Sequence, residues 1–261
     1  TLAGFTVKYT MALMLLPYGI YTFVRAYKSF KPLDFLIHGL VVAYMAASSG
    51  LYIGVLAVSS LVMILYPFVA RNVDPAKIMI NTALIMIPPL IVFVSYPLYG
   101  VSYVYKSIGG ITILTLALIA VRYYLIPMVA RKNANIIYLG ILVLTVVTGL
   151  VLVAVGHLVG GKAAQALGIT HILGTLSFTI AEYQPTNPSF LMSYYGVLII
   201  VAILSVLYSI YLIIAKRDLI ALYVAVLGIS TLYVLENLSY FVSFAALVMS
   251  IMASYFIGLL S

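Results

Sequence analysis

Leu219 to Leu260 is a run of 42 residues with one charged side chain, Glu236. Leu33 to Ala70 is a run of 38 with one, Asp34. Roughly 20 apolar residues cross the hydrocarbon core of a bilayer. Each run is therefore long enough for two crossings, and neither can be covered by water. A chain in hydrocarbon must satisfy its backbone groups internally, which leaves α-helices or a closed barrel. The runs are continuous rather than alternating, which excludes the barrel. Each also has a turn signal near its middle, Ser48-Ser49-Gly50 in one and Glu236-Asn237 in the other.

Composition carries the same reading to the whole chain. It is 66% hydrophobic and 7% charged, where a soluble domain carries about 25% charged residues. The expectation is a single all-α polytopic transmembrane domain over residues 1–261. It has about nine transmembrane helices (range 8–10) and one re-entrant or interfacial helix. Cysteine is absent, which removes disulfides, thiolate metal sites, iron–sulfur ligation and cysteine nucleophiles. Tryptophan is absent too, so the 23 tyrosines must anchor the interfaces. The first run, Phe5 to Val24, is long enough to be a span rather than a signal peptide.

The formal charge of +8 does not point to nucleic acid, because the bases stand singly or in pairs at span ends. Apolar runs stop at Arg25, Arg71, Arg131-Lys132 and Lys216-Arg217. Two of these endings nearly repeat, as Pro67-Phe68-Val69-Ala70-Arg71 and Pro127-Met128-Val129-Ala130-Arg131. All four clusters fall on one side if the segment from Ala166 to Ala181 does not cross. The positive-inside bias then makes that side cytoplasmic. This places the N-terminus outside and the C-terminus inside, in a multi-pass protein of the cell membrane. The segment from Gly160 to Pro188 fits a non-crossing role: it opens Gly-Gly-Lys, is studded with Thr and Ser, and ends Gln-Pro-Thr-Asn-Pro.

Local signals set further boundaries. Asp74-Pro75 has a capping residue followed by the residue best suited to the first helical position. Pro88-Pro89, in the middle of the run from Ile78 to Tyr96, should kink or break it. Phe190 to Ala215 reads as one span. Arg122 lies about two turns before its span ends, close enough to snorkel to the boundary. Asn81 and Asp34 lie near helix starts, where capping or boundary roles suffice.

Few residues can carry chemistry at membrane depth. Of three histidines, His38 falls at the cytoplasmic end of its span, while His157 and His171 fall at the outer end. His38 therefore shares no ligand with the other two. Two neutral imidazoles can supply both axial positions of a b-type haem, so His157 and His171 are the candidate cofactor residues. Their spacing resembles that of histidine pairs in cytochrome b helices, but the partner histidines on a second helix are missing. Glu182 shares the outer segment, where it can contact a partner or gate protons. Glu236 is the other candidate for a proton or ion pathway, because an acid inside an apolar run is usually used. No metal cluster and no catalytic set is legible.

Known catalytic motifs do not account for the chain. Ala47-Ser48-Ser49-Gly50-Leu51-Tyr52-Ile53-Gly54 resembles the serine motif of rhomboid proteases, and His171-Ile172-Leu173-Gly174 resembles their histidine motif. The two lie too far apart for that family's helix order, and its other motifs are missing. The acids are too scattered for magnesium-dependent prenyl chemistry, and there is no His-Glu-x-x-His or nucleotide loop. The resulting expectation is an integral membrane subunit, not catalytic on its own. It would sit in a larger complex, such as a respiratory or electron-transfer assembly, anchoring partners or contacting haem b or quinone near the outer face. Its partners would be the lipid bilayer and other membrane subunits. The alternative is a secondary transporter or channel.

Overall fold

The structure is a computed structural model that describes residues 2–48, 52–70, 73–95, 108–154, 188–237 and 242–260. The described residues are helical, with no strand among them, and the protein is an all-α membrane protein. The helices are α1 (Leu2–Ser29), α2 (Pro32–Ser48), α3 (Tyr52–Val69), α4 (Pro75–Ser95) and α5 (Gly110–Ala130). They continue as α6 (Ala134–Ala154), α7 (Pro188–Tyr195), α8 (Val197–Lys216), α9 (Leu219–Asn237) and α10 (Val242–Leu260). Both long apolar runs divide where expected. One separates α2 from α3, and the other separates α9 from α10, with Glu236 in the last turn of α9. The segment from Ala166 to Ala181, with the question of whether it crosses, lies outside the described residues.

The chain forms two compact units, Thr1–Leu142 and Val143–Ser261. In the first, α2 packs between α1 and α4, while α5 packs on α3 and α4. Helical periodicity sorts the side chains of α1. Leu16, Ile20, Phe23 and Tyr27 are buried, whereas Met14, Tyr18 and Tyr21 are exposed. In α2, Phe35, His38, Val42 and Met45 face inward, while Ile37, Leu40 and Tyr44 face outward. Both faces are apolar. A soluble helix shows a polar outer face; here the outward face is suited to lipid.

Prolines shape the helices without ending them. The expected break at Pro88-Pro89 does not occur, and α4 runs through both. Neither proline has an N–H, so the carbonyls of Leu84 and Ile85 lose their i+4 donors. Gly39 of α2 lies against these two residues. A β-carbon there would overlap the Leu84 oxygen and come within 3.2 Å of both Ile85 Cα and Ile85 O. Glycine permits a backbone approach that any side chain would block. In α5, Pro127 cannot donate to Tyr123, and the preceding turn, Val121–Leu125, widens into a π-turn. The N–H of Ile126 reaches back to the carbonyl of Val121.

In the second unit, α8 packs on α9 and α10. Its buried stripe is Ile199, Ala202, Ser205, Val206, Ser209 and Leu212. Small residues on such a stripe let membrane helices approach closely. The Ser205 hydroxyl donates to the Met252 carbonyl at 3.0 Å. The expected single span from Phe190 to Ala215 is interrupted at Gly196, whose positive φ of 51° separates α7 from α8. Arg217, also at positive φ, ends α8. Asp218 then caps α9, accepting from the N–H groups of Ile220 (2.7 Å) and Ala221 (3.1 Å). The cap read at Asp74 is present as well, accepting from the N–H of Ala76 at 2.9 Å.

Candidate functional site

The polar interior of the first unit is built from side chains on three helices. His38 of α2 is fully buried. Its Nδ1 lies 3.1 Å from the Thr22 hydroxyl of α1, and its Nε2 lies 3.0 Å from the Ser59 hydroxyl of α3. The Phe23 ring packs on the imidazole at 4.8 Å. Each hydroxyl also has a backbone acceptor one turn earlier, Tyr18 O for Thr22 and Val55 O for Ser59, both at 2.8 Å.

These contacts outnumber the available protons. A neutral imidazole and two hydroxyls carry three polar hydrogens between them. The geometry offers five contacts: two to the ring and three to carbonyls, because Gly19 O also lies 3.1 Å from the Thr22 hydroxyl. One hydroxyl must therefore turn to the ring and release its carbonyl, while the other accepts from the ring N–H. The network ties α1, α2 and α3 together. Both imidazole nitrogens are occupied within it, so His38 serves as a crosslink between helices rather than a ligand.

A second polar cluster joins the end of α1 to the start of α2. The buried Asp34 carboxylate pairs with Arg25 Nε at 3.0 Å and accepts from the Ser29 hydroxyl at 2.5 Å. The boundary role read for Asp34 is therefore a fastening between adjacent helices. Asn81 differs from its expected boundary role. It is fully buried in α4, and neither side-chain atom has a partner among the described residues. Elsewhere, the Ser60 and Thr115 hydroxyls meet at 2.5 Å and join α3 to α5. Tyr138 of α6 donates to the Ile64 carbonyl at 3.0 Å.

Of the residues singled out in the sequence, His157, His171 and Glu182 lie outside the described residues. Glu236 ends α9 one residue before the helix stops. The His38 network was missed. Its members are single residues on separate spans, with no fixed sequence spacing, and only His38 attracts notice in a chain with three histidines.

No protein-family model matches the chain. No curated protein matches it. Solved structures do. The chain is similar to the archaeal oligosaccharyltransferase AglB from Archaeoglobus fulgidus in complex with an inhibitory peptide and a dolichol-phosphate. There the TM-score is 0.70 at 16% identity, covering 98% of this chain and 33% of that one. It is also similar to the Archaeoglobus fulgidus oligosaccharyltransferase tethered by a disulfide to an acceptor peptide containing the NVT sequon. That match has a TM-score of 0.68 at 16% identity and covers 97% of this chain and 32% of that one. The apo form of the same enzyme gives 0.68 at 15% identity, with 98% and 33% covered.

This likeness corrects the functional expectation. The solved structures that share the chain's fold are oligosaccharyltransferases, not respiratory or electron-transfer subunits contacting haem b or quinone, and not secondary transporters or channels. Span number and scattered histidines are common to many membrane architectures and single out no function by themselves. At this identity the likeness is one of fold, and the chain spans about a third of the length of the oligosaccharyltransferases whose fold it shares.

Proposed function

We propose that this chain is a membrane-embedded part of a glycosyltransferase of the oligosaccharyltransferase kind, and that it helps hold a glycan donor carried on a polyprenyl phosphate. The observation carrying this reading is the fold likeness over 98% of the chain, to an enzyme solved with a dolichol-phosphate. The outward apolar faces of α1 and α2 support it, since a polyprenyl tail needs such surfaces beside the bilayer. The activity belongs to the whole protein of which such a region is part.

In this reading the N-terminus lies outside and the segment from His157 to Glu182 lies on the outer side. His157 and His171 supply imidazole donors suited to a phosphate. Glu182 supplies a carboxylate suited to the donor groups of an acceptor peptide. Glu236, at the end of α9, offers a second carboxylate at the same membrane face. Any further membrane subunits would dock beside this region.

The test is transfer itself. The complete protein, reconstituted in liposomes with a polyprenyl-phosphate-linked oligosaccharide, is assayed on a peptide containing Asn-x-Thr. Glycosylated peptide supports the reading. Absence of both transfer and saturable dolichol-phosphate binding by folded protein would sink it.

A further inference from the structure

Arg122, about two turns before the end of α5, is a cation with no carboxylate partner among the described residues. The π-turn places it on α5, where Nη2 donates to Asn135 Oδ1 of α6 at 2.6 Å. The guanidinium lies 5.4 Å from the Tyr123 ring centre and 6.0 Å from that of Tyr138. It is therefore held in place by the protein rather than free to follow a counter-ion. Its Nε is enclosed and has no acceptor among the described residues. Among the described residues the ion pair is Arg25 with Asp34, and none of their carboxylates pairs with Arg122.

The surroundings add positive charge and apolar surface. Arg131 and Lys132 lie in the short connection to α6, and Lys132 is exposed. The N-terminus of α6 adds the positive end of a helix dipole. Around this basic turn, Val129 is 87% exposed, Met128 80% and Ile136 73%. A soluble anion would satisfy the charge but leave these side chains uncovered. A lipid satisfies both.

We infer that the α5–α6 turn binds the phosphodiester headgroup of an anionic membrane phospholipid. Arg122 and Lys132 face the headgroup, and the acyl chains cover Val129, Met128 and Ile136. Arg122 acts here as a positioned charge, because its guanidinium is already oriented by Asn135 and the two tyrosines. The inference is independent of the glycosyl-transfer reading and concerns a lipid of the surrounding bilayer, not a glycan donor.

The test uses native mass spectrometry of the purified full chain, titrated with phosphatidylglycerol and, separately, phosphatidylcholine. Phosphatidylglycerol should bind more tightly to the wild type. Arg122→Gln should weaken it by about tenfold, Arg122→Lys by less, and Lys216→Gln should leave it unchanged. If Arg122→Gln does not yield folded protein, Lys132→Gln provides the second reading and should weaken binding in the same direction. Equal affinity for the two lipids in the wild type, or unchanged phosphatidylglycerol binding in the folded variants, would overturn the inference. So would preference of this site for a polyprenyl monophosphate over phosphatidylglycerol.

Discussion

Gly39 of α2 rests directly on the carbonyl of Leu84 in α4, which Pro88 has deprived of its usual helical donor. The Cα–H groups of glycine are weak donors to such oxygens, and contacts of this kind recur where helices approach closely. The proline pair and the glycine thus work together across two helices. One exposes backbone oxygens, and the other brings a backbone without a side chain up to them.

Gly39→Ala should therefore be among the most damaging small substitutions in the protein. The new methyl meets backbone, which cannot swing aside. A loss of about 1–3 kcal/mol or more is expected from such overpacking. Gly228→Ala, in the second unit, provides the comparison. Its new methyl would overlap Met252 Cε and lie 2.6 Å from Val206 Cγ2. The methionine end is flexible and can move, so the expected loss is smaller. Thermal unfolding in detergent checks the ranking, and a milder effect at Gly39 than at Gly228 would contradict this account.

The His38 network makes a prediction about coupling. Removing Thr22 and Ser59 together, as Thr22→Val with Ser59→Ala, leaves a buried imidazole with no hydroxyl on either side. In a His38→Leu background the same pair of changes should be nearly neutral, because each hydroxyl there serves only its own carbonyl. A double-mutant cycle should give a coupling of about 0.6–1.7 kcal/mol, the range for polar contacts between membrane helices. Additivity within error would mean that the histidine does not depend on these hydroxyls.

How far the sequence reaches is visible in these same residues. The division of the long runs into helix pairs was legible because hydrocarbon thickness limits helix length. The Asp74 cap was legible because its chemistry is local, one carboxylate reaching an amide two residues on. The contact of Gly39 with Leu84 was not, because it depends on which helices become neighbours, and α2 meets α4 rather than only α1 and α3. Pro88-Pro89 illustrates the limit. The loss of donors is readable from the sequence, but its result is a continuous helix packed against a glycine. Asn81 fails in the same way, since nothing local separates a helix-start asparagine from one enclosed by other helices. The function lay further out of reach, because one carboxylate or two imidazoles fit many chemistries.

Under the glycosyl-transfer reading, Glu182→Gln should lower peptide glycosylation by about tenfold or more while leaving dolichol-phosphate binding intact. Losing a carboxylate that accepts from a peptide removes a charge-assisted hydrogen bond, worth about 1.5–3 kcal/mol. Initial rates across a peptide titration, beside a lipid-binding isotherm, separate the two effects. If both fall together, Glu182 supports the segment structurally rather than meeting the peptide; if neither moves, it meets no peptide.

Pro127→Ala tests whether the π-turn sets the position of Arg122. Alanine restores an N–H that can donate to the Tyr123 carbonyl, allowing Val121–Leu125 to close into an ordinary α-turn. The added hydrogen bond should leave stability unchanged or raise it by about 1 kcal/mol. Removing the bulge, however, turns the residues before it by about 100° relative to those after it. Arg122 would then no longer face Asn135, the bond at 2.6 Å would be lost, and phosphatidylglycerol retention should fall toward that of Arg122→Gln. Stability is thus held or raised while lipid retention falls, which a general loss of structure cannot mimic. Melting in detergent and native mass spectrometry on the same preparation read both quantities. Retention at the wild-type level would show that the charge is placed correctly without the π-turn.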